Sequence, residues 1–596
     1  MGRGHAAQLA IASRVAMLLC MSVSDRLLPD FLPGDDVLQF DLRLDNNGGT
    51  PDACFCLEGH ACDPKWATRR IGVRPAADNP FCADDEHQST RRWRPLDELY
   101  SFVLPPVTKW DAARFLALSA DPWARHPPQE NRTISNPGDE SECDLPDESY
   151  FDSSEQAHAF FPLLPLVIRG GAALLRRLVP QILLPKTYEG TLALAAVLMN
   201  MAAFTVAAVS LHTLTVYNLL AVDPPDKRRK LNTEEARSKD IRKFAWRTCQ
   251  LFCCNPAGVF FTAAYSESLF SALTFTGHAI IARGRYIIMT TQTKRKKSFW
   301  IAAAFVWGLA SCARSNGLFS SIWLLLVCIS DCCSFTQSYL NNKNEKIDNP
   351  PGDKKRAKSE AIALALECFW HLMFYICLAS VVIAPIVLHD RRGYGIHCGK
   401  TETRIRYPQW CTGEGFSLYS FVQKKHWNVG FLNYFELKQL PNHILAFPIL
   451  FLSYSAAANW IFISWRKQSD HENGFRGFLR TSLSWVRRAL SESSYNFVTV
   501  TGENAGNVDE LLLGHRLLPF YATLAGFALV GTFFAHVQIS TRLILSSCPA
   551  VYWYMLMILS ERERQQESTS TSPIMLFFVV YNILGVAMHV NWLPWT

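Results

Sequence analysis

Residues 191–220 read TLALAAVLMNMAAFTVAAVSLHTLTVYNLL, with no Asp, Glu, Lys or Arg among them. The basic stretch Lys227-Arg228-Arg229-Lys230 follows a few residues later. A run this long exceeds the roughly 20 residues needed to cross the hydrocarbon core of a bilayer. Cations just beyond its end are how membrane orientation is written into a sequence. Similar apolar runs recur near 159–182, 189–220, 248–283, 299–333, 358–389, 442–465, 516–537, 541–560 and 573–592. A further, marginal run from Ala7 to Leu28 is interrupted by Arg14 and Asp25 and has no convincing small-residue cleavage site, so it reads as a retained first span rather than a signal peptide. The expected fold is an all-α polytopic membrane protein, because lipid leaves no partner for an unpaired backbone group. Several runs are too long for one straight span and too short for two, which predicts broken or re-entrant helices covered by protein.

Of the 596 residues, 49% are hydrophobic and only 19% are charged, against roughly 25% in soluble domains. The net charge of +7 sits in a few loops: 227–230, Lys294-Arg295-Lys296-Lys297, Lys354 to Lys358, and Trp465 to Arg488. That distribution is a topology signal, and no nucleic-acid partner is expected from it. Placing all four loops in the cytosol leaves 390–441 and the C-terminus lumenal. It also requires that one run between 159 and 220 be other than a simple span. The resulting organisation is a marginal first transmembrane segment (1–28), an enlarged lumenal loop (29–158), a transmembrane core (159–389), a lumenal loop (390–441) and C-terminal transmembrane segments (442–596) with a cytosolic loop near 466–515.

The eighteen cysteines form two populations. Cys253, Cys254, Cys312, Cys328, Cys332, Cys333, Cys368 and Cys377 lie in or beside apolar runs and are expected to pack as small hydrophobes. Cys54, Cys56, Cys62, Cys82 and Cys143 share one polar loop, and Cys398 and Cys411 another; there disulfides in an oxidising lumen are expected over zinc, whose finger spacings they do not match. Asn131-Arg132-Thr133 is a glycosylation acceptor sequence.

Polar groups at membrane depth are costly and need a reason. Glu267, in Tyr265-Ser266-Glu267-Ser268, and Arg314, in Ala313-Arg314-Ser315-Asn316-Gly317, each interrupt an apolar run. They read either as one structural ion pair or as contacts to a phosphate or sugar. Asp111 follows Trp110 at a membrane boundary. Its alternatives are capping a short helix from Ala112 and acting as general base on a sugar hydroxyl.

At Trp110-Asp111, Glu155-Gln156 and Phe160-Phe161-Pro162-Leu163-Leu164-Pro165, the chain begins to resemble the second mannosyltransferase of glycosylphosphatidylinositol (GPI) anchor synthesis. The likeness continues through Cys254-Asn255-Pro256-Ala257, Phe260-Phe261-Thr262-Ala263, Tyr265 to Phe270 and Arg314 to Gly317. It is strongest at Trp427-Asn428-Val429-Gly430-Phe431 with Tyr434-Phe435-Glu436-Leu437-Lys438-Gln439. It closes with His536-Val537-Gln538, Thr541-Arg542, Tyr552-Trp553-Tyr554 and Asn591-Trp592-Leu593-Pro594-Trp595-Thr596. The chain departs from the family in 46–92 and in the long link between Asp111 and Glu155.

The resemblance implies a GT-C-type glycosyltransferase with a large first lumenal loop, multi-pass in the endoplasmic reticulum membrane, with its active site lumenal. It implies transfer of the second mannose, in α1,6 linkage, from dolichyl-phosphate mannose to a mannosyl-glucosaminyl-phosphatidylinositol acceptor. Carried over by position, Asp111 is the catalytic base. Trp110, Glu155, Gln156, Glu267, Arg314, Asn316, Trp427, His536 and Arg542 are substrate-binding candidates. No cofactor or metal is expected: phosphate is already a good leaving group, which basic or amide donors can stabilise. Asp35-Asp36 and Asp84-Asp85 are adjacent acids in loops rather than an Asp-x-Asp pair. Trp110, Trp410 and Trp427 suit an interfacial belt. The expected partners are the lipid-linked donor, the GPI-precursor acceptor and membrane lipids, with room for a small membrane subunit. The competing readings are a non-catalytic subunit of a glycosylation complex and a lipid transporter or scramblase; the internal repeats a transporter would show are not visible.

Overall fold

The computed structural model describes residues 2–28, 96–120, 155–220, 231–291, 296–345, 354–399, 409–411, 417–466, 508, 512, 514, 517–566, 568 and 572–593. The Asn131 acceptor sequence, the five cysteines from Cys54 to Cys143 and the basic residues 227–230 lie outside them. The regular secondary structure of the described residues is all helical, without strands. In chain order the α-helices are α1 (Arg3–Leu27), α2 (Asp97–Val103), α3 (Asp111–Ala120), α4 (Leu163–Leu178), α5 (Tyr188–Leu220), α6 (Leu231–Cys253), α7 (Glu267–Thr291) and α8 (Lys296–Ala313). They continue as α9 (Leu318–Glu345), α10 (Lys354–Cys398), α11 (Leu418–Trp427), α12 (Leu440–Arg466), α13 (Leu518–Phe533), α14 (Ser540–Ser547), α15 (Pro549–Arg564) and α16 (Pro573–Val590).

Six stretches among the described residues are long and apolar enough to cross a membrane: α1, α5, Ser315–Cys333, Ala361–Cys398, Leu437–Arg466 and α16. The bent pair α14 and α15, with 91° between its halves, forms a seventh span if counted as one. The chain is thus an all-α, multi-pass membrane protein, the architecture expected of a GT-C-type enzyme. In the run 159–182 the only α-helix is α4, sixteen residues long, amphipathic and ending in Arg176 and Arg177. The run 358–389 belongs to one helix that continues to Cys398, so the start of 390–441 is helical.

Three apolar runs are broken rather than continuous. The run 248–283 opens between Cys253 and Glu267, 299–333 is interrupted at Arg314–Gly317, and 541–560 bends at Cys548. Backbone released in this way must find partners inside the protein. For residues 254–266 the partners come from four neighbouring side chains. Arg14 donates to Gly258 O (2.7 Å) and Cys253 O (2.9 Å) and to Thr262 Oγ1 (3.2 Å). Asn200 donates to Tyr265 O (3.1 Å) and also to Ala263 O, Ser268 to Phe261 O (2.7 Å) and Asn582 to Cys254 O (3.0 Å). Arg14, which interrupts the first apolar run, is thereby explained. It is fully buried, its guanidinium 4.1 Å above the Phe204 ring, and α1 is an integral wall of the bundle. Gly258 lies between Met17 of α1 and Asn582 of α16, and a Cβ there would collide with both.

The helices define two ends. At one, Asp25 at the end of α1 pairs with Lys109 (2.8 Å), Asn591 past α16 donates to Ser24, and His389 and His397 near the end of α10 pack on His158. Cys398 and Cys411 form a disulfide at this end. At the other, Tyr217 near the end of α5 meets Tyr286 near the end of α7, and Arg247 of α6 pairs with Glu563 at the end of α15. Leu220 and Thr291, the helix ends that lead into two of the basic stretches, belong to this second end, and Lys354 is the opposite end of α10 from the His389, His397 and Cys398 contacts.

The cysteine expectation needs one correction. Cys249, Cys253, Cys328 and Cys548 are buried, but Cys254 and Cys377 are exposed on the outside of the helices and do not pack in the core. The tryptophan expectation needs another. Trp410 is buried, stacked on Phe421 at 5.5 Å, and Trp110 is half-buried, so both join protein elements rather than forming a lipid-facing belt.

Candidate active site

Asp111 is the first residue of α3, beside the end of the bundle that carries the disulfide. The turn before it is fixed from two sides. Ala264 N–H donates to Val107 O (3.1 Å), and Lys109 and Trp110 donate to the carbonyls of Val590 (2.5 Å) and His589 (3.1 Å). Trp110 adopts a left-handed backbone (φ 61°) and packs on Trp592 at 5.6 Å. A non-glycine residue there is strained and persists only where its surroundings over-determine it. This anchoring holds the Asp111 carboxylate at the surface of the bundle, 36% exposed.

Arg542 in α14 stands opposite. Its Nη2 lies 3.6 Å from Asp111 Oδ2 and its Nε lies 3.7 Å from Glu267 Oε1. Glu267 opens α7 immediately after the broken segment and has no exposed surface. It also pairs with Arg314, which donates to Ser266 Oγ (3.3 Å). The Arg542 guanidinium covers the rings of Phe260 (4.9 Å) and Tyr265 (5.6 Å). A single buried carboxylate therefore holds two guanidiniums. Burying one charge without its partner costs several kcal/mol, so about 3–5 kcal/mol favours keeping this triad intact. Of the two readings of Glu267 and Arg314, the structure shows the ion pair, and the same carboxylate holds a second arginine beside the candidate base.

The triad leaves capacity unused. Thr541 Oγ1, Arg542 Nε and Asn316 Oδ1 are buried without a hydrogen-bond partner. Asn316 donates its amide to Ser547 Oγ (3.3 Å), tying the break at 314–317 to the end of α14. Two cations and these unsatisfied groups beside a half-exposed carboxylate can receive a phosphate and orient a hydroxyl.

The other candidates divide. Asp111, Glu267, Arg314, Asn316 and Arg542 belong to this cluster, with Trp110 bracing it. Glu155 sits elsewhere: it is buried, accepts from Trp410 Nε1 (2.9 Å) and lies 4.0 Å from Lys425 Nζ, so it fastens the disulfide-bearing segment. Gln156 is half-buried beside it, where its carbonyl accepts from Ala159 N–H. Phe160 then links the two regions, its ring packing on Phe115 of α3 (5.1 Å) and on Trp427 (6.2 Å). Trp427 and His536 line a separate cavity of about 230 Å³. There His536 Nε2 and Tyr434 OH are 2.6 Å apart, and burial, helped by the charge of Arg542, pushes His536 down to about 4. Among the described residues no three His, Cys, Asp or Glu side chains are grouped to hold a metal. Phe260, Tyr265 and Arg14 were not among the site candidates. An arginine inside an apolar helix was the available signal for the last.

The sequence profile of the family described as Mannosyltransferase (PIG-V) matches residues 150–596. Asp111 precedes that match, so its role rests on position and geometry. A protein of Cricetulus griseus named GPI alpha-1,6-mannosyltransferase 2 is 28% identical over 549 residues, covering 84% of this chain and 90% of its own. The Homo sapiens protein of that name is 28% identical over 484 residues, covering 74% and 84%. GPI mannosyltransferase 2 of Schizosaccharomyces pombe is 26% identical over 234 residues, covering 39% and 41%. No solved structure matches the chain. With a family profile matching well over half its length and a charged cluster suited to phosphate at one end of a multi-span bundle, the chain belongs to the PIG-V mannosyltransferase family.

Proposed function

We propose that this mannosyltransferase moves mannose from dolichyl-phosphate mannose onto a mannosyl-glucosaminyl-phosphatidylinositol acceptor, forming the α1,6 linkage of a GPI anchor precursor. The observation that carries the reading is the Asp111, Arg542, Glu267, Arg314 cluster. In a single displacement, the acceptor hydroxyl attacks the anomeric carbon of the donor. Asp111 takes the hydroxyl proton, the bond from that carbon to the phosphate oxygen breaks, and dolichyl phosphate leaves with the electron pair. Arg542 and Arg314 face the charge that develops on the leaving phosphate. They are already oriented by Glu267, so little reorganisation accompanies the step. Relatives named as GPI α-1,6-mannosyltransferases support the acceptor and linkage.

The same reading places the reaction at the lumenal face of the endoplasmic reticulum membrane. Its support is the separation of the disulfide and the acidic–basic cluster at one end from the helix ends entering basic stretches at the other. Disulfides persist in the oxidising lumen, and clustered lysine and arginine stay cytosolic.

The test is rescue of cells lacking their second GPI mannosyltransferase, scored by anchored protein at the surface. Wild-type protein should rescue, whereas Asp111→Asn should not, at unchanged abundance. Full rescue by Asp111→Asn would remove the general base and favour a non-catalytic role.

A further inference from the structure

The cavity at Trp427 and His536 is separate from the Asp111 cluster and is built from two distant stretches of chain. Lys425, Trp427, Asn428, Tyr434 and Lys438 line it from α11 and the following loop, and His536 from the turn before α14. The loop is pinned to that turn: Gly430 N–H donates to Phe534 O (3.0 Å) and Leu432 N–H to Phe533 O (2.8 Å). Asn428 and Leu432 both adopt left-handed backbones (φ 49° and 60°). Two such residues within five positions mark a geometry held by its surroundings.

The lining is unusual in its chemistry. Tyr434 OH receives a hydrogen bond from Asn442 (3.2 Å) and lies against His536 Nε2, while the buried Nδ1 of His536 has no partner. Neutral hydroxyl, imidazole and amide groups around an indole suit a polyol; two lysines also line the cavity, Lys438 paired with Glu436, itself a lining residue, and Lys425 lying 4.0 Å from Glu155. The surroundings are the opposite. Phe431 and Leu437 are 62% and 92% exposed, and the apolar surface continues along α12 through Leu440, Ile444, Phe447 and Phe451. A polar cup immediately beside an exposed apolar helix face is the arrangement a lipid needs, with its headgroup in the cup and its chains on the helix.

We infer that this cavity binds the phosphoinositol-bearing headgroup of the acceptor glycolipid, with the acceptor's lipid chains lying along the exposed face of α12. The choice of acceptor over donor follows from stoichiometry of sugars. The donor carries one hexose, and transfer requires that hexose at Asp111. A second polyol-binding cup therefore belongs to the substrate with several rings. His536 precedes Arg542 by six residues, with the 3-10 turn Val537–Ile539 and the start of α14 between them, so one short stretch of chain contributes to both sites.

This inference rests on the proposed function and is tested with full-length protein in nanodiscs. The substrates are synthetic mannosyl-glucosaminyl-phosphatidylinositol and dolichyl-phosphate mannose. Tyr434→Phe and His536→Gln should each raise the acceptor KM about tenfold, the loss of one hydrogen bond, while the donor KM stays unchanged. Lys438→Gln removes an exposed ion pair that contributes little to folding and leaves the Glu436 carboxylate unbalanced in the cavity, so the acceptor KM should rise several-fold. An unmoved acceptor KM in Lys438→Gln and Tyr434→Phe would overturn the inference, as would a rise confined to the donor KM. Absence of turnover by the wild-type protein would instead overturn the proposed function itself.

Discussion

Replacing Arg14 by methionine removes the donors that close the broken segment 254–266 while keeping an unbranched stem of similar reach. Three contacts disappear: Gly258 O at 2.7 Å, Cys253 O at 2.9 Å and Thr262 Oγ1 at 3.2 Å. Gly258 O keeps the Thr262 hydroxyl as a donor (3.0 Å), so only Cys253 O is left unpaired, at a cost of about 1–3 kcal/mol. Removing a fully buried charge returns part of this, because the guanidinium no longer has to be desolvated, leaving a net loss of about 1 kcal/mol. At roughly 2 °C per kcal/mol for a large domain, the melting midpoint should fall by about 2 °C. The assay is thermal unfolding of the purified protein in detergent, followed by the monomer peak on size exclusion. Activity should fall further than stability, because the same segment carries Phe260, Tyr265 and the approach to Glu267. Arg14→Lys should be intermediate: it keeps a charge and three donors but cannot fork to carbonyls on both sides. An Arg14→Met protein with unchanged midpoint and unchanged kcat would refute the reasoning, since Cys253 O would then have another partner.

Three further outcomes are expected. Glu267→Gln should lower kcat by about a hundredfold or more, the scale of removing one preorganised electrostatic contact, and Arg542→Lys should show much the same defect without adding to it in the double variant; additive losses measured in microsomes would place the two residues in separate roles. Cys398→Ser should destabilise the protein by about 2–3 kcal/mol, as expected for a closed loop of this length, and peptide mapping without reductant should recover the Cys398–Cys411 pair; recovery of both as free thiols would count against a lumenal location. His536, held down to about 4 in the folded protein against about 6.5 unfolded, binds fewer protons folded than unfolded between those values. Stability should therefore fall as pH drops from about 6.5 to about 4, and His536→Gln should flatten that part of a midpoint-versus-pH series; an unaltered slope would show that another group titrates.

Several features were legible because they follow from one-dimensional patterns. Thirty uncharged residues at 191–220 can only be satisfied as a membrane-crossing helix, and basic clusters beside such runs write orientation without reference to contacts. The interruptions by Glu267 and Arg314 marked the two breaks for the same reason: a charge at membrane depth needs a partner, and each was available to the other. The ordered motifs from Cys254 to Trp595 fixed the family. Some patterns misled. Trp410 looked like an interfacial anchor but its indole is used to bond Glu155, and Cys254 and Cys377 lie in apolar runs yet face outward. Hydropathy records the average environment of a run, not which side of its helix a residue occupies.

What the sequence by itself determined, then, was a polytopic helical membrane enzyme of a recognisable kind, with Asp111 as its favoured base. Only the tertiary structure decided which candidates act together. It brought Asp111, Arg542, Glu267 and Arg314 into one cluster across 431 positions of chain, and it sent Glu155 to a structural post beside Trp410. It also turned Arg14 from a flaw in a marginal span into the donor that makes a broken helix possible. The physical reason is common to all three. A buried charge or an open carbonyl imposes the need for a partner locally, but the partner is chosen by how distant helices pack.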